Sequence, residues 1–352
     1  MRRWAVSVAF HLLLAGCLFL FWLGTISGQS GRQADQRTST STEAAEQGQE
    51  VLRVKTEEVL LPVSVRDSMG LPVSGLEKER FIVFDNGVRQ EIASFNRERA
   101  PANIALLLDA SSSVFSQMRF IRDAAKRFVQ GLAQGDKVCV MQFSDRVELL
   151  QDWTSATDTQ SLLKTLDWRY HPGLRTNFYD GLYLAAEEQL KKVEGRRIII
   201  LLTDGLDTAE KPVISYLDAL NAVRRAESSV YVVSLTANER AQVESKVGGS
   251  RLRRIFSGYD PREAARYLAM LEEAENLLSS LAAKTGGAIF LPAKDEDLSA
   301  AYQAIADDLR SQYIITYRPQ PHVEAGQYRH VKVLVTDGDY EVGAREGYTV
   351  RN

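Results

Sequence analysis

Asp109, Ser111 and Ser113 occupy alternate positions in Asp109-Ala110-Ser111-Ser112-Ser113, directly after the apolar run Ile104 to Leu108. In a turn leaving a strand, that spacing can aim one carboxylate and two hydroxyls at a single point. Such hard oxygen donors suit magnesium, which takes six oxygens and usually keeps several waters. Asp and Ser are also frequent in turns, and capping of the following helix is the other reading of this pattern taken alone. Two more segments bear on the choice. Arg196 to Leu202 reads as a buried strand that carries Thr203-Asp204-Gly205 into a glycine turn, and Gly173-Leu174-Arg175-Thr176-Asn177 places Thr176 just before a helix. All of these are expected at the surface of a crevice and outside the core.

The elements that must position these residues lie between about Ala102 and Gln312. Short, almost wholly apolar runs occur at Ile104 to Leu108, Val138 to Phe143, Ile198 to Leu202, Val230 to Leu235 and Ala288 to Leu291. Continuous apolar strands imply a sheet covered on both faces. Helical patterns separate them at Phe120 to Leu132, Phe178 to Val193, Val213 to Arg225, Arg262 to Lys284 and Leu298 to Ser311. This alternation predicts an α/β fold with a doubly wound, mostly parallel sheet, which binds ligands outside the carboxyl ends of its strands.

The flanks read differently. Leu60 to Arg66, then Phe81 to Phe84, a turn at Asp85-Asn86-Gly87 and Val88 to Phe95 carry strand signals, as do Tyr313 to Tyr317, His330 to Thr336 and Tyr340 to Ala344. An Asn-Gly pair between apolar runs is a strong hairpin cue. Neither end has enough strands to bury a sheet face alone. The two are therefore expected to pair into one small β-sandwich with the α/β unit inserted between them: 51–100 and 313–352 around 101–312.

At this point the residues resemble the von Willebrand factor type A domain and its metal-ion-dependent adhesion site. The resemblance rests on Asp109-x-Ser111-x-Ser113, Thr176, Asp204-Gly205 and the run Leu281-Ala282-Ala283-Lys284-Thr285-Gly286-Gly287. It implies Ser111, Ser113 and Thr176 as direct ligands of Mg2+ or Mn2+, with Asp109 and Asp204 as carboxylates acting directly or through water. It further implies a non-enzymatic module for protein binding or adhesion, whose protein partner offers an exposed Asp or Glu as the last ligand. The leader, β-rich flanks and inserted domain together look like exported bacterial proteins of this family. Ala237 to Asp260 departs from the pattern and reads as an insertion. Its Arg251, Arg253 and Arg254 form either a partner-binding loop or a solvated surface.

Residues 1–28 open with Arg2-Arg3 and an apolar run from Trp4 to Ile26, a signal peptide or signal anchor long enough to span a bilayer. Leu14-Ala15-Gly16-Cys17 also resembles a lipobox, which would put a lipid on Cys17. Residues 29–50 are polar and low in complexity, which predicts a disordered linker. The folded part is thus expected to be exported, either periplasmic or secreted or held at the membrane by an uncleaved N-terminal segment.

Composition removes other classes. Lys and Arg number 43 against 46 Asp and Glu, a net charge of −3 that offers no field for nucleic acid. Cys139 lies in an apolar strand and has no partner in the folded part, so it reads as an inert core thiol. Two alternatives to the binding module are a structural envelope protein without a metal-dependent ligand and a metal-assisted hydrolase. Against the latter stand the missing nucleophile elbow and phosphate-binding loops and the lack of a histidine beside the Asp-x-Ser-x-Ser motif.

Overall fold

The computed structural model describes residues 58–97, 100–209, 213–247, 260–321 and 324–350. Strand β1 (Val59–Arg66) is followed by the hairpin β2 (Phe81–Asp85) and β3 (Val88–Gln90). Asn86 and Gly87 turn it with φ of 46° and 79°, the left-handed pair that a two-residue hairpin with right-twisted strands demands. The run expected as one strand from Val88 to Phe95 breaks after Gln90, and β4 (Ile92–Asn96) crosses to a different sheet.

The α/β layer then runs β5 (Ala102–Asp109), α1 (Met118–Gln130), β6 (Lys137–Phe143), β7 (Val147–Ser155), α2 (Thr159–Trp168) and α3 (Phe178–Leu184), which continues through irregular turns to Lys192. It proceeds through β8 (Arg196–Thr203), α4 (Tyr216–Arg225), β9 (Ser229–Ser234), α5 (Thr236–Val247), α6 (Pro261–Thr285), β10 (Ile289–Phe290) and α7 (Leu298–Ser311). These strands form one six-stranded sheet in the order β10-β9-β8-β5-β6-β7, parallel except for β7. Alternate side chains of β5 feed opposite cores. Ile104, Leu106 and Leu108 pack with α1 and α7, whereas Ala105 and Leu107 pack with α3, α4 and α6. That two-sided burial is why the strand reads as an unbroken apolar run.

From β5 the chain winds to β6 on one side and returns to β8 on the other. The strand order therefore reverses between β5 and β8, where a doubly wound sheet opens its crevice. Asp109 ends β5, and Thr203 ends β8 just before Asp204.

The remaining strands are β11 (Tyr313–Tyr317), β12 (Tyr328–Val335), β13 (Glu341–Gly343) and β14 (Gly347–Thr349). Two four-stranded antiparallel sheets result, β13-β1-β11-β4 and β14-β12-β2-β3, each mixing strands from both ends of the chain. Leu61, Val63, Phe81, Val83, Ile315, Tyr317 and Val333 close one core between them.

The sequence reading needs correction in several places. The stretch read as an insertion after β9 begins as a helix: residues 236–247 form α5, whose Asn238, Glu239 and Val243 are buried. The arginines at 251, 253 and 254, the leader and the tether lie outside the described residues. β7, α2 and β14 were not foreseen. Among the described residues no helix is long and apolar enough to cross a membrane.

Candidate metal centre

Three loops meet at the β5/β8 switch point. The loop after β5 continues the ladder, with Ala110 N–H donating to the Phe143 carbonyl at 2.9 Å. Asp109 Oδ1 accepts the Ser111 N–H at 2.9 Å and its Oδ2 accepts the Thr203 hydroxyl at 2.7 Å, so this carboxylate bridges β5 to β8. The Tyr170 hydroxyl donates to the Asp109 carbonyl from below. Ser111 Oγ and Ser113 Oγ stand 2.9 Å apart. Helix α1 and the turn before it carry no side-chain cap, which removes the capping alternative for Asp109 and the serines.

The second loop is drawn onto the first by Gly173. Its N–H donates to the Ala110 carbonyl at 2.7 Å, and a Cβ there would lie 2.5 Å from the Ser144 side chain. Any other residue would push the loop away and take Thr176 with it. Asp145, two residues past the end of β6, accepts the Leu174 and Arg175 N–H groups at 2.9 and 3.2 Å, and Ser112 Oγ donates to the Leu174 carbonyl at 2.7 Å. The third loop is tied to the second through Thr208, whose hydroxyl accepts the Thr176 N–H at 2.9 Å and whose N–H donates to the Thr176 carbonyl at 3.0 Å. Gly205 makes the turn after Asp204 at φ 76°.

The structure thus links Asp109, Ser111, Ser113 and Asp204 with one another, and ties the backbone of Thr176 to the third loop through Thr208. Their expected placement at the surface is wrong for four of them. Asp109 and Asp204 are 0% exposed, Ser111 1% and Thr176 2%; Ser113 alone is open to solvent. The reason is that β5 and β8 are central strands, and the loops above them lie on each other.

Burial has an electrostatic consequence. It raises the Asp109 carboxyl to about 7, with the charge of Asp204 adding to the rise, and it raises Asp204 as well; the serine hydroxyls work in the opposite direction on both. Asp204 Oδ1 accepts the Leu206 N–H at 3.0 Å and the Ser113 hydroxyl lies close to this carboxyl, but its buried Oδ2 makes no hydrogen bond of ordinary geometry with a described residue. Nor does any described Lys, Arg or His pair with either aspartate. A sealed carboxylate oxygen without a donor costs on the order of 1–3 kcal/mol or more. Two carboxylates with the Ser111 and Ser113 hydroxyls are a donor set that fits a small hard cation. Among the described residues no cluster of three or more His, Cys, Asp or Glu could hold a metal. Any centre here must draw on hydroxyls.

Thr203, Asp145, Thr208 and Gly173 support the site and escaped the sequence reading. Thr203 and Asp145 had a legible signal, since each is a polar residue at the carboxyl end of an apolar run. Glu239, on the first turn of α5, had none. It is buried among Asp204, whose charge reaches it, and Tyr267, whose hydroxyl donates to its Oε2. Burial first and Asp204 second push it up to about 7.

Comparison with known proteins bears on the fold. The model of the von Willebrand factor type A domain matches residues 103–281. The chain belongs to this family. Among solved structures it is similar to proximal thread matrix protein 1 from the mussel byssus, at 18% identity and TM-score 0.45, over 68% of this chain and 51% of that one. That protein has also been solved with a zinc-occupied MIDAS motif. A von Willebrand factor type A protein from Catenulispora acidiphila is 12% identical with TM-score 0.43, over 85% and 76% of the two chains. An aerotolerance-related membrane protein from Bacteroides fragilis is 16% identical with TM-score 0.41, over 59% and 98%. The chain spans about half the length of the byssus protein it matches. The search of curated proteins gives no match.

Proposed function

We propose that this von Willebrand factor type A chain is a metal-dependent protein-binding module, with residues 101–312 as the binding unit and the flanking β-strands as its support. Ser111, Ser113 and Thr176 would hold Mg2+ or Mn2+ directly, and Asp109 and Asp204 would supply the balancing charge. The observation that carries the reading is the pair of fully buried aspartates with, among the described residues, no cationic partner. Bound there, a divalent cation would supply a Lewis-acidic position for an Asp or Glu of a protein partner. The chain's own part would be to hold two carboxylates and three hydroxyls together without reorganisation, a role that the bonds between the three loops support. Turnover is no part of the proposal. The gathered residues include no histidine, and Cys139, the buried thiol of β6, is pushed up by burial away from any nucleophilic role.

Calorimetry with magnesium and manganese tests the centre. Ser111→Ala combined with Thr176→Ala should lower affinity at least tenfold while the urea midpoint holds; unchanged affinity rejects the assignment. For the partner, a pull-down from envelope extract should recover protein with wild type in magnesium, and lose it with chelator or with Asp109→Ala.

We further propose export, because Arg2 and Arg3 precede the apolar run and positive charge stays inside. An uncleaved leader would hold the module on a polar tether. Carbonate extraction with N-terminal sequencing separates anchor, cleaved start near Gln29 and lipidated Cys17.

A further inference from the structure

The two ends of the sheet β13-β1-β11-β4 are attached to different things. Val59 to Val63 of β1 pair antiparallel with Tyr317 to Tyr313 of β11, whose other edge pairs with β4, Ile314 opposite Asn96 and Tyr317 opposite Ile92. The chain N-terminal to β1 joins the sheet at Val59, which lies at the Tyr317 end. Both links to the α/β layer leave from the opposite end: α7 stops at Ser311 and β11 begins at Tyr313, while β4 stops at Asn96 and β5 begins at Ala102. Ala102 is in turn the end of β5 remote from Asp109 and the crevice. A pull between the N-terminal segment and the crevice therefore draws β1 and β11 in opposite directions along their own axes.

Antiparallel ladder bonds lie perpendicular to the strands, so sliding one strand along the other strains them all together, whereas parting the strands from one end breaks them in turn. Forced unfolding is governed by the unfolding barrier, which the sliding arrangement raises. Side chains pin the same strand. Leu61 and Val63 are sealed in the sandwich core. Arg345 donates to the Leu60 carbonyl at 3.0 Å and pairs with Glu227 of the α/β layer at 2.6 Å. At the far end of β1 the buried Arg66 meets Asp308 of α7 at 2.8 Å. Building on the reading of the leader as an anchor and of the crevice as the partner site, we propose that β1 and β11 form a shear clamp, through which the sandwich carries tension between membrane and bound partner without opening the α/β layer. Insertion of the layer between the two halves of the sandwich gives it two covalent links to the same end of the clamp.

The test is single-molecule force spectroscopy on the full-length chain in detergent and chelator. Its result is independent of the metal, whose failure calorimetry reads separately. One handle sits on an N-terminal tag and the other on p-azidophenylalanine in place of the exposed Leu174, beside the crevice. In a second arrangement the N-terminal handle moves to the same residue in place of the exposed Met69, just beyond Arg66, where the pull parts β1 from β11 at one end. The N-terminal pull should need at least twice the force of the pull from position 69, with a first extension of roughly 150 Å, the stretched length of residues 58–101. Leu60→Cys with Thr316→Cys, at positions opposite one another in the ladder, should abolish that extension when oxidised and restore it when reduced. Equal forces in the two arrangements, or an oxidised chain that extends like wild type, overturn the clamp. So does a wild-type first extension that opens the α/β layer and leaves the sandwich intact.

Discussion

The crevice and the core of the β-sandwich both bury a carboxylate completely, and they balance it in opposite ways. Asp85, at the end of β2, is 0% exposed and is met by Arg329 Nε, Tyr317 OH at 3.0 Å and Tyr348 OH at 2.9 Å. A similar arrangement joins the sandwich to the α/β layer. Arg66 at the end of β1 lies 2.8 Å from Asp308 of α7, which also accepts from the Tyr231 hydroxyl. In both places the chain supplies its own cation. At the β5/β8 switch point, Asp109 and Asp204 are as deeply buried and have hydroxyls and backbone N–H groups but, among the described residues, no cation. Among the described residues, then, the two crevice aspartates meet hydroxyls and backbone N–H groups where Asp85 and Asp308 meet arginines.

The contrast can be broken most sharply at Arg329. Arg329→Met strands Asp85 in an apolar core, and removing one partner of a buried pair costs about 3–5 kcal/mol. Urea denaturation should show that loss at any magnesium concentration, and a loss below about 1 kcal/mol would mean that the tyrosines suffice.

Magnesium should have the next largest effect, confined to the crevice. At a hundredfold excess over Kd, ligand linkage predicts about 2.7 kcal/mol of added stability, seen in a thermal melt against chelator. Arg329→Met should retain that increment, whereas the Ser111→Ala, Thr176→Ala double variant should not.

Glu239 sharpens the electrostatic side. Its folded carboxyl stands near 7 against about 4.5 for the free group, so the folded state favours the protonated form. That contribution is fully present below about pH 4.5 and is lost as pH rises through 7. In chelator, Glu239→Gln should therefore be more stable than wild type by about 2 kcal/mol at pH 8, with the difference shrinking toward pH 4.5. A difference constant with pH would show that Glu239 does not titrate in this window.

The smallest effect is expected for Asp109→Asn. Without metal it removes one of two buried like charges, and stability should hold or rise by about 1 kcal/mol, although magnesium binding is lost. Destabilisation as large as that of Arg329→Met would place the crevice and the sandwich core in the same class.

Particular residues show what could be read in advance. β5, β6, β8 and β9 are legible because strands buried on both faces leave continuous apolar runs, and the β2–β3 turn is legible because Asn86-Gly87 suits few other conformations. β7 escaped because only Leu150 of its residues is buried and its pairing with β6 slips register twice, which erases any period of two. α5 escaped because its sequence is polar along most of its length. Its buried positions include Asn238, which bonds Asp295, and Glu239, whose Oε2 alone is met by Tyr267 from another element.

By itself, then, the sequence determined the order of the strands along the chain and which polar residues stand at their carboxyl ends, because both are local matters of pattern and turn chemistry. Whether those residues lie open or sealed, and whether a carboxylate meets an arginine or another carboxylate, was decided by tertiary structure. Asp85 finds Arg329, and Arg66 finds Asp308, across more than two hundred residues of chain. Asp109 finds Thr203 and the charge of Asp204 because the sheet reverses its winding between β5 and β8. The balance of buried charge follows from which strands become neighbours, and no local pattern carries that information.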